Sequence, residues 1–160
     1  MTKKNRIGIA TAISLLTVGA LAAHGETTTT GSELLGLYGR IHAALAADSI
    51  AGVGEAAAEL ATQAEAAAKN GAEAAAFEAV AAAARAMSGS DLATLREKHR
   101  ALSMAMAKLT EVGALAGADL YYCPMADGYW LQKSADAGAL NPYYGKSMPK
   151  CGSKVDRVES

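Results

Sequence analysis

The sequence predicts an all-α protein, an alanine-rich antiparallel four-helix bundle over residues 33–118 with a loop-rich carboxy-terminal segment, 119–157, packed on it. Three observations lead there. Hydrophobic residues make up 51% of the chain and aromatic ones only 5%, so the core must be built from small side chains on closely approaching helices. Apolar residues recur at three- and four-residue steps in four successive runs. Each run ends at residues that stop a helix.

In chain order, Lys3, Lys4 and Arg6 precede an uncharged run, Ile7 to Ala23, with the small-residue stretch Ala20-Leu21-Ala22 near its end. That is the pattern of a signal peptide over residues 1–22. Its removal takes three cations and no acid, lowering the formal charge from −1 to −4. No later stretch is long and uncharged enough to cross a bilayer. The expected product is therefore a mildly acidic periplasmic or secreted protein with no membrane segment after cleavage. Nucleic acid is excluded as a partner, because no cluster of Lys or Arg with interleaved aromatics occurs.

Residues 23–32, with four consecutive threonines, read as a polar linker. Ser32 then caps a helix from about Glu33 to Ala47, with Leu34, Leu37, Tyr38, Ile41 and Leu45 on one face. Asp48 caps a second, Ser49 to Lys69, carrying Ile50, Val53, Ala57, Leu60 and Ala64 inward and stopped by Asn70-Gly71. The third, Ala72 to Met87, has Phe77 and Val80 as its large apolar residues. Ser90 or Asp91 caps the fourth, which continues to about Ala116 with Leu92, Leu95, His99, Leu102, Met106 and Leu109 in a stripe. Short turns between such helices give an antiparallel arrangement. His42 falls one step off its apolar face, Met106 is a core residue, and Met104 belongs at the surface.

The chemistry is concentrated in the tail. From Tyr121 to Gly152 lie both cysteines, all three prolines and six of the eight aromatic residues. Cys123-Pro124-Met125 and Met148-Pro149-Lys150-Cys151 are two half-sites, each with one thiol and one thioether. Thiolate and thioether donors together select Cu(I), with Ag(I) as its surrogate, over harder divalent ions. The other reading is a Cys123–Cys151 disulfide, the default for paired thiols after export. Closing a loop of about 29 residues would stabilise the fold by roughly 3.6 kcal/mol on the chain-entropy account. Oxidation would remove both thiolates, so the two readings can be two states of one pair. Tyr129, Trp130, Tyr143 and Tyr144 either pack the tail onto the helices or present a surface to a partner. Asn141-Pro142, Gly145 and Gly128 are turn signals, so little regular sheet is expected.

The strings Tyr122-Cys123-Pro124-Met125-Ala126, Tyr129-Trp130-Leu131, Asn141-Pro142-Tyr143-Tyr144-Gly145 and Met148 to Gly152 resemble the signature of a bacterial domain of unknown function. That domain occurs as small exported proteins and fused to the periplasmic adaptor subunits of copper and silver efflux systems. Tyr38, Ala44 to Asp48, Arg96 and Leu102-Ser103 extend the resemblance upstream, over about residues 33–157. It implies an all-helical periplasmic domain, a soft-metal site at Cys123, Met125, Met148 and Cys151, and an efflux adaptor or copper-handling protein as partner. The chain departs from the pattern at His99, where many relatives carry a bulky aromatic; His99 reads either as a satisfied core or boundary histidine or as an accessory ligand. It also has a shorter stretch between Ala126 and Tyr129.

The function expected from the residues is periplasmic Cu(I) binding in copper handling or efflux. The rival is a disulfide-stapled helical interaction module that docks a partner through its aromatic segment without metal. No enzyme is expected: there is no Ser-His-Asp arrangement, no His-Glu-x-x-His and no glycine-rich phosphate loop. Cysteines 28 positions apart also lack the close Cys-x-x-Cys spacing of a disulfide oxidoreductase.

Overall fold

The structure, a computed structural model, describes residues 22–69, 72–136 and 138–159, with side chains from 30 onward. The expected signal peptide lies outside these residues except for Ala22, and so does the Asn70-Gly71 stop.

Four helices form: α1 (Ala22–Ala46), α2 (Val53–Ala68), α3 (Ala74–Arg85) and α4 (Leu92–Glu111). The helix of α1 begins upstream of Glu33 and continues through the threonine run. Its stripe Leu34, Tyr38, Ile41 and Leu45 is wholly buried. Asp48 does not cap α2. It adopts the left-handed conformation (φ 57°) that ends the preceding helix, and α2 starts five residues later. Ile50 is thereby left 42% exposed instead of facing inward. Phe77, Val80, Ala81 and Ala84 face the core from α3. Asp91 caps α4 by accepting a hydrogen bond from the Thr94 amide at 2.9 Å. The stripe Leu95, His99, Leu102, Met106 and Leu109 is buried, and Met104 stands exposed. The helices pack in sequence order, α1 on α2, α2 on α3 and α3 on α4.

The carboxy-terminal segment corrects the all-α expectation. Residues beyond α4 form a three-stranded antiparallel sheet, β1 (Ala118–Cys123), β2 (Gly128–Lys133) and β3 (Ser153–Val155), in the order β2-β1-β3. The protein is therefore a mixed fold of helices and sheet. The physical reason is visible in the hairpin. Tyr121 pairs with Trp130 and Tyr122 with Tyr129 across the strands, and their rings lie 5.6 and 4.5 Å apart. Cross-strand aromatic pairs are among the stronger stabilisers of such a ladder.

Alternate residues of a strand face opposite ways, and β1 and β2 use both faces. Leu131 enters the core shared by the four helices. Tyr121, Cys123 and Trp130 on the other face pack with Ala126, Ala139 and Tyr143 in a second cluster. β2 lies on α4 and touches α1, so the sheet takes a side of the assembly that a closed bundle would give to helix. Among the described residues, no helix is long and apolar enough to cross a membrane.

Candidate metal centre

Cys123 ends β1, and β3 is hydrogen-bonded alongside it with Tyr122 opposite Ser153. That register carries Cys151, two residues before Ser153, up to Cys123. The two Sγ atoms are 2.7 Å apart. Cys123 is fully buried and Cys151 half-buried. The hydrogen bond to Cys123 pushes the Cys151 thiol above its ordinary pKa, with burial and the neighbouring sulfur's charge adding to the rise.

The approach is fixed from several sides. Asn141, wholly buried, donates from Nδ2 to the Cys151 carbonyl at 2.8 Å. Its Oδ1 accepts from the amides of Tyr143 and Tyr144 at 2.8 and 3.1 Å. Its own amide donates to the Pro149 carbonyl at 2.9 Å. One side chain thus ties the Asn141–Gly145 turn to the stretch before β3 that carries the second cysteine. Gly152 sits between Cys151 and β3 with φ 125°, and a β-carbon there would collide with the Trp130 indole. Trp130 is buried; its Nε1 donates to Gln132 Oε1 at 2.8 Å. Gln132 in turn accepts from the Leu140 amide and donates to the Gly138 carbonyl. The floor under the thiols is therefore aromatic and its polar atoms are satisfied.

The thioethers are arranged differently. Met148 is half-buried in the turn that closes onto the Cys151 amide at 3.2 Å. Met125 lies just past β1, in the loop joining it to β2, with its side chain 65% exposed, while its carbonyl accepts from the Tyr144 hydroxyl at 2.9 Å. His99 is buried on α4, hydrogen-bonded to Ser103 at 3.2 Å and edge-on to Tyr143. It does not join the cysteines: among the described residues no three His, Cys, Asp or Glu side chains converge on one point. What converges is the thiol pair, with Met148 in the adjoining turn.

No family model, curated protein or solved structure matches this chain. The chemistry of the site therefore has to be argued from its residues. Two thiols in contact can do two things. As thiolates they offer a soft cation two donors. With loss of two protons and two electrons they form a disulfide, whose S–S distance is about 2.05 Å. A metal bridging them in line at about 2.3 Å from each sulfur would need them roughly 4.6 Å apart. The half-buried Cys151, on an irregular stretch outside the ladder, is the side that can yield.

The four aromatic residues divide by exposure. Trp130 and Tyr143 are buried and pack the tail, whereas Tyr129 and Tyr144 are half-buried. The Tyr143 hydroxyl donates to the Tyr129 carbonyl, and the Arg100 guanidinium lies over the Tyr143 ring at 4.5 Å.

Sequence reasoning missed the clasp that docks this segment. Arg96 donates from Nε to the Pro142 carbonyl at 2.8 Å. Its Nη2 reaches the Leu45 carbonyl at 2.9 Å and Asp48 Oδ1 at 2.5 Å. Asp48 Oδ2 accepts from the Lys146 amide at 3.2 Å. The bond from Arg96 and that from the Lys146 amide hold the Asp48 carboxyl below its ordinary pKa. The only sequence signal was an acid and a base at positions that also carry the resemblance.

Proposed function

We propose that this protein binds a soft monovalent cation, Cu(I) in the cell, through the Cys123 and Cys151 thiolates and takes part in periplasmic copper handling. The observation that carries the reading is the contact between the two sulfurs at 2.7 Å. Cys123 is buried among apolar and aromatic side chains, a setting that suits a soft, weakly hydrated ion. Met148, half-buried in the turn that leads into Cys151, is the thioether assigned to complete the site. Met125, out in solvent, contributes little. The leader pattern at residues 1–22 and the resemblance to a domain joined to efflux adaptors support the compartment and the role.

A second reading rests on the same contact: the pair is a covalent staple, and the burial of Cys123 protects it from reduction. Thiol counting on protein taken directly from its compartment separates the two. The copper reading expects two titratable thiols and, after anaerobic addition of Cu(I), one copper with sulfur neighbours by X-ray absorption. Cys123→Ser or Cys151→Ser should remove the sulfur-bound copper, and Met125→Leu should leave it in place. A reduced protein that retains no sulfur-bound copper overturns the proposal.

A further inference from the structure

His42 on α1 and His99 on α4 are the two histidines of the core, 5% and 0% exposed. Three of their four ring nitrogens, both of His42 and Nε2 of His99, have no hydrogen-bond partner. A buried polar group left unpaired costs about 1–3 kcal/mol, so three in one place call for an explanation.

The surroundings give one. The two ring centroids are 6.1 Å apart. A ring nitrogen lies about 1.2 Å from its centroid, and imidazole binds a metal at about 2.0 Å, so one ion held in line between two rings would put their centroids roughly 6.4 Å apart. The fourth nitrogen, His99 Nδ1, is tied to Ser103 Oγ at 3.2 Å. Ser103 is held by the Tyr38 hydroxyl at 2.7 Å, and Tyr38 accepts from the Leu131 amide at 3.2 Å. When Nδ1–H donates to Ser103 Oγ, the lone pair of the neutral ring lies on Nε2, and such an outer donation is how ligating histidines are oriented. On His42, the Leu140 backbone acts in the sense of a hydrogen bond without reaching bonding geometry. The walls are aromatic: Tyr38 stacks on His99 at 5.2 Å, Trp130 on His42 at 6.5 Å, and Tyr143 meets His99 edge-on at 5.7 Å.

We infer that His42 and His99 form a second metal site, separate from the cysteines, that holds one closed-shell monovalent cation, Cu(I) or Ag(I), between the two imidazoles. The valence follows from the donor set. Zinc takes four ligands, and no third His, Cys, Asp or Glu joins this pair among the described residues. Two neutral nitrogens and an apolar wall cannot compensate a dication. Burial keeps both rings neutral at physiological pH, so their lone pairs are available. Trp130 touches both sites, stacking on His42 and packing beside Cys123.

The test uses the full mature chain with both cysteines replaced, Cys123→Ser/Cys151→Ser, refolded anaerobically with Cu(I) so that entry into the core is not limiting. The expected result is one copper per chain with nitrogen neighbours only at about 2.0 Å, falling to none in the same background carrying His42→Phe or His99→Phe. Absence of copper from the cysteine-free protein overturns the inference, as does copper bound by thioether sulfur or copper that survives both phenylalanine changes. If the phenylalanine variants do not fold, the ligand set seen in the cysteine-free protein decides alone. A protein with intact cysteines and His42→Phe/His99→Phe reports independently on the sulfur site.

Discussion

The metal-free protein should lose stability between pH 7.5 and pH 5, and the loss should come from the two core histidines. Burial lowers the His42 pKa from 6.5 to about 4, the Leu140 backbone opposing only in part. His99 is also lowered, first by burial, then by the charges of His42 and Arg100. The sign follows from linkage. A base whose folded pKa is depressed is neutral in the native state and takes up a proton on unfolding, so acid favours the unfolded chain. The contribution is intact above about pH 6.5, falls with pH, and is fully lost near pH 4. For His42 alone, pKa values of 6.5 and about 4 give a loss of about 2 kcal/mol on going to pH 5. His99 shifts in the same direction and adds to it. Asp48, Asp91 and Asp119, all lowered in the fold by their hydrogen bonds, erode stability at lower pH, so the window above pH 5 isolates the histidines. Urea unfolding followed by Trp130 fluorescence under reducing conditions measures the slope, and His42→Phe should remove about half of it. A stability that is flat to within about 0.5 kcal/mol between pH 7.5 and 5 would refute the reasoning, because two buried neutral imidazoles cannot be indifferent to protons.

Two further outcomes probe the docking of the tail. Trp130→Ala empties the centre of the second cluster and should cost about 3–5 kcal/mol, read by urea unfolding with circular dichroism, and should slow formation of the Cys123–Cys151 crosslink by loosening β1 and the stretch before β3 that carry the thiols. Gly145→Ala places a β-carbon against the Asp48 carboxylate and the Arg96 guanidinium at a φ of 53°, so it should cost about 1–3 kcal/mol, whereas Gly138→Ala, which meets no atom within 4 Å at φ 71°, should cost only its backbone strain.

The helices were legible because their signals are local. The cap Asp91 and the stripe from Leu95 to Leu109 lie within one element, and α4 needs no partner to be recognised, although it ends at Glu111 and not near Ala116. The sheet was obscured for the opposite reason. Tyr121-Tyr122-Cys123 and Tyr129-Trp130-Leu131 are strand-forming residues, but each run is short and bounded by proline or glycine. What makes them strands is mutual pairing, ring on ring, across the Pro124–Asp127 connection. The same holds for the cysteines. Nothing in a separation of 28 residues encodes a contact of 2.7 Å; that depends on β3 adding to β1 in one register, with Asn141 holding the return. Met125 shows how spacing misleads, since adjacency to Cys123-Pro124 suggested a shared site, yet the turn that pairs β1 with β2 carries its side chain into solvent.

His42 and Asp48 fail by a related physical route, and they explain why the site could be read only in part. Placing His42 off the apolar face of α1 assumes that the helix is covered from one side. It is covered from two, by α2 along the stripe and by the tail through Trp130, so the buried arc is wider than any single stripe. Asp48 has the composition of a cap, and its carboxylate does bind backbone, but the amide it serves is that of Lys146, 98 positions away. In both cases the tail is the missing neighbour. A residue's role on these helices is set by the segment that folds back over them, and that segment is ordered by the aromatic pairs and the asparagine hub that also bring the thiols together. Stability of the helices and proximity of the sulfurs should therefore fail together when Trp130 is removed, and separately when only a cysteine is.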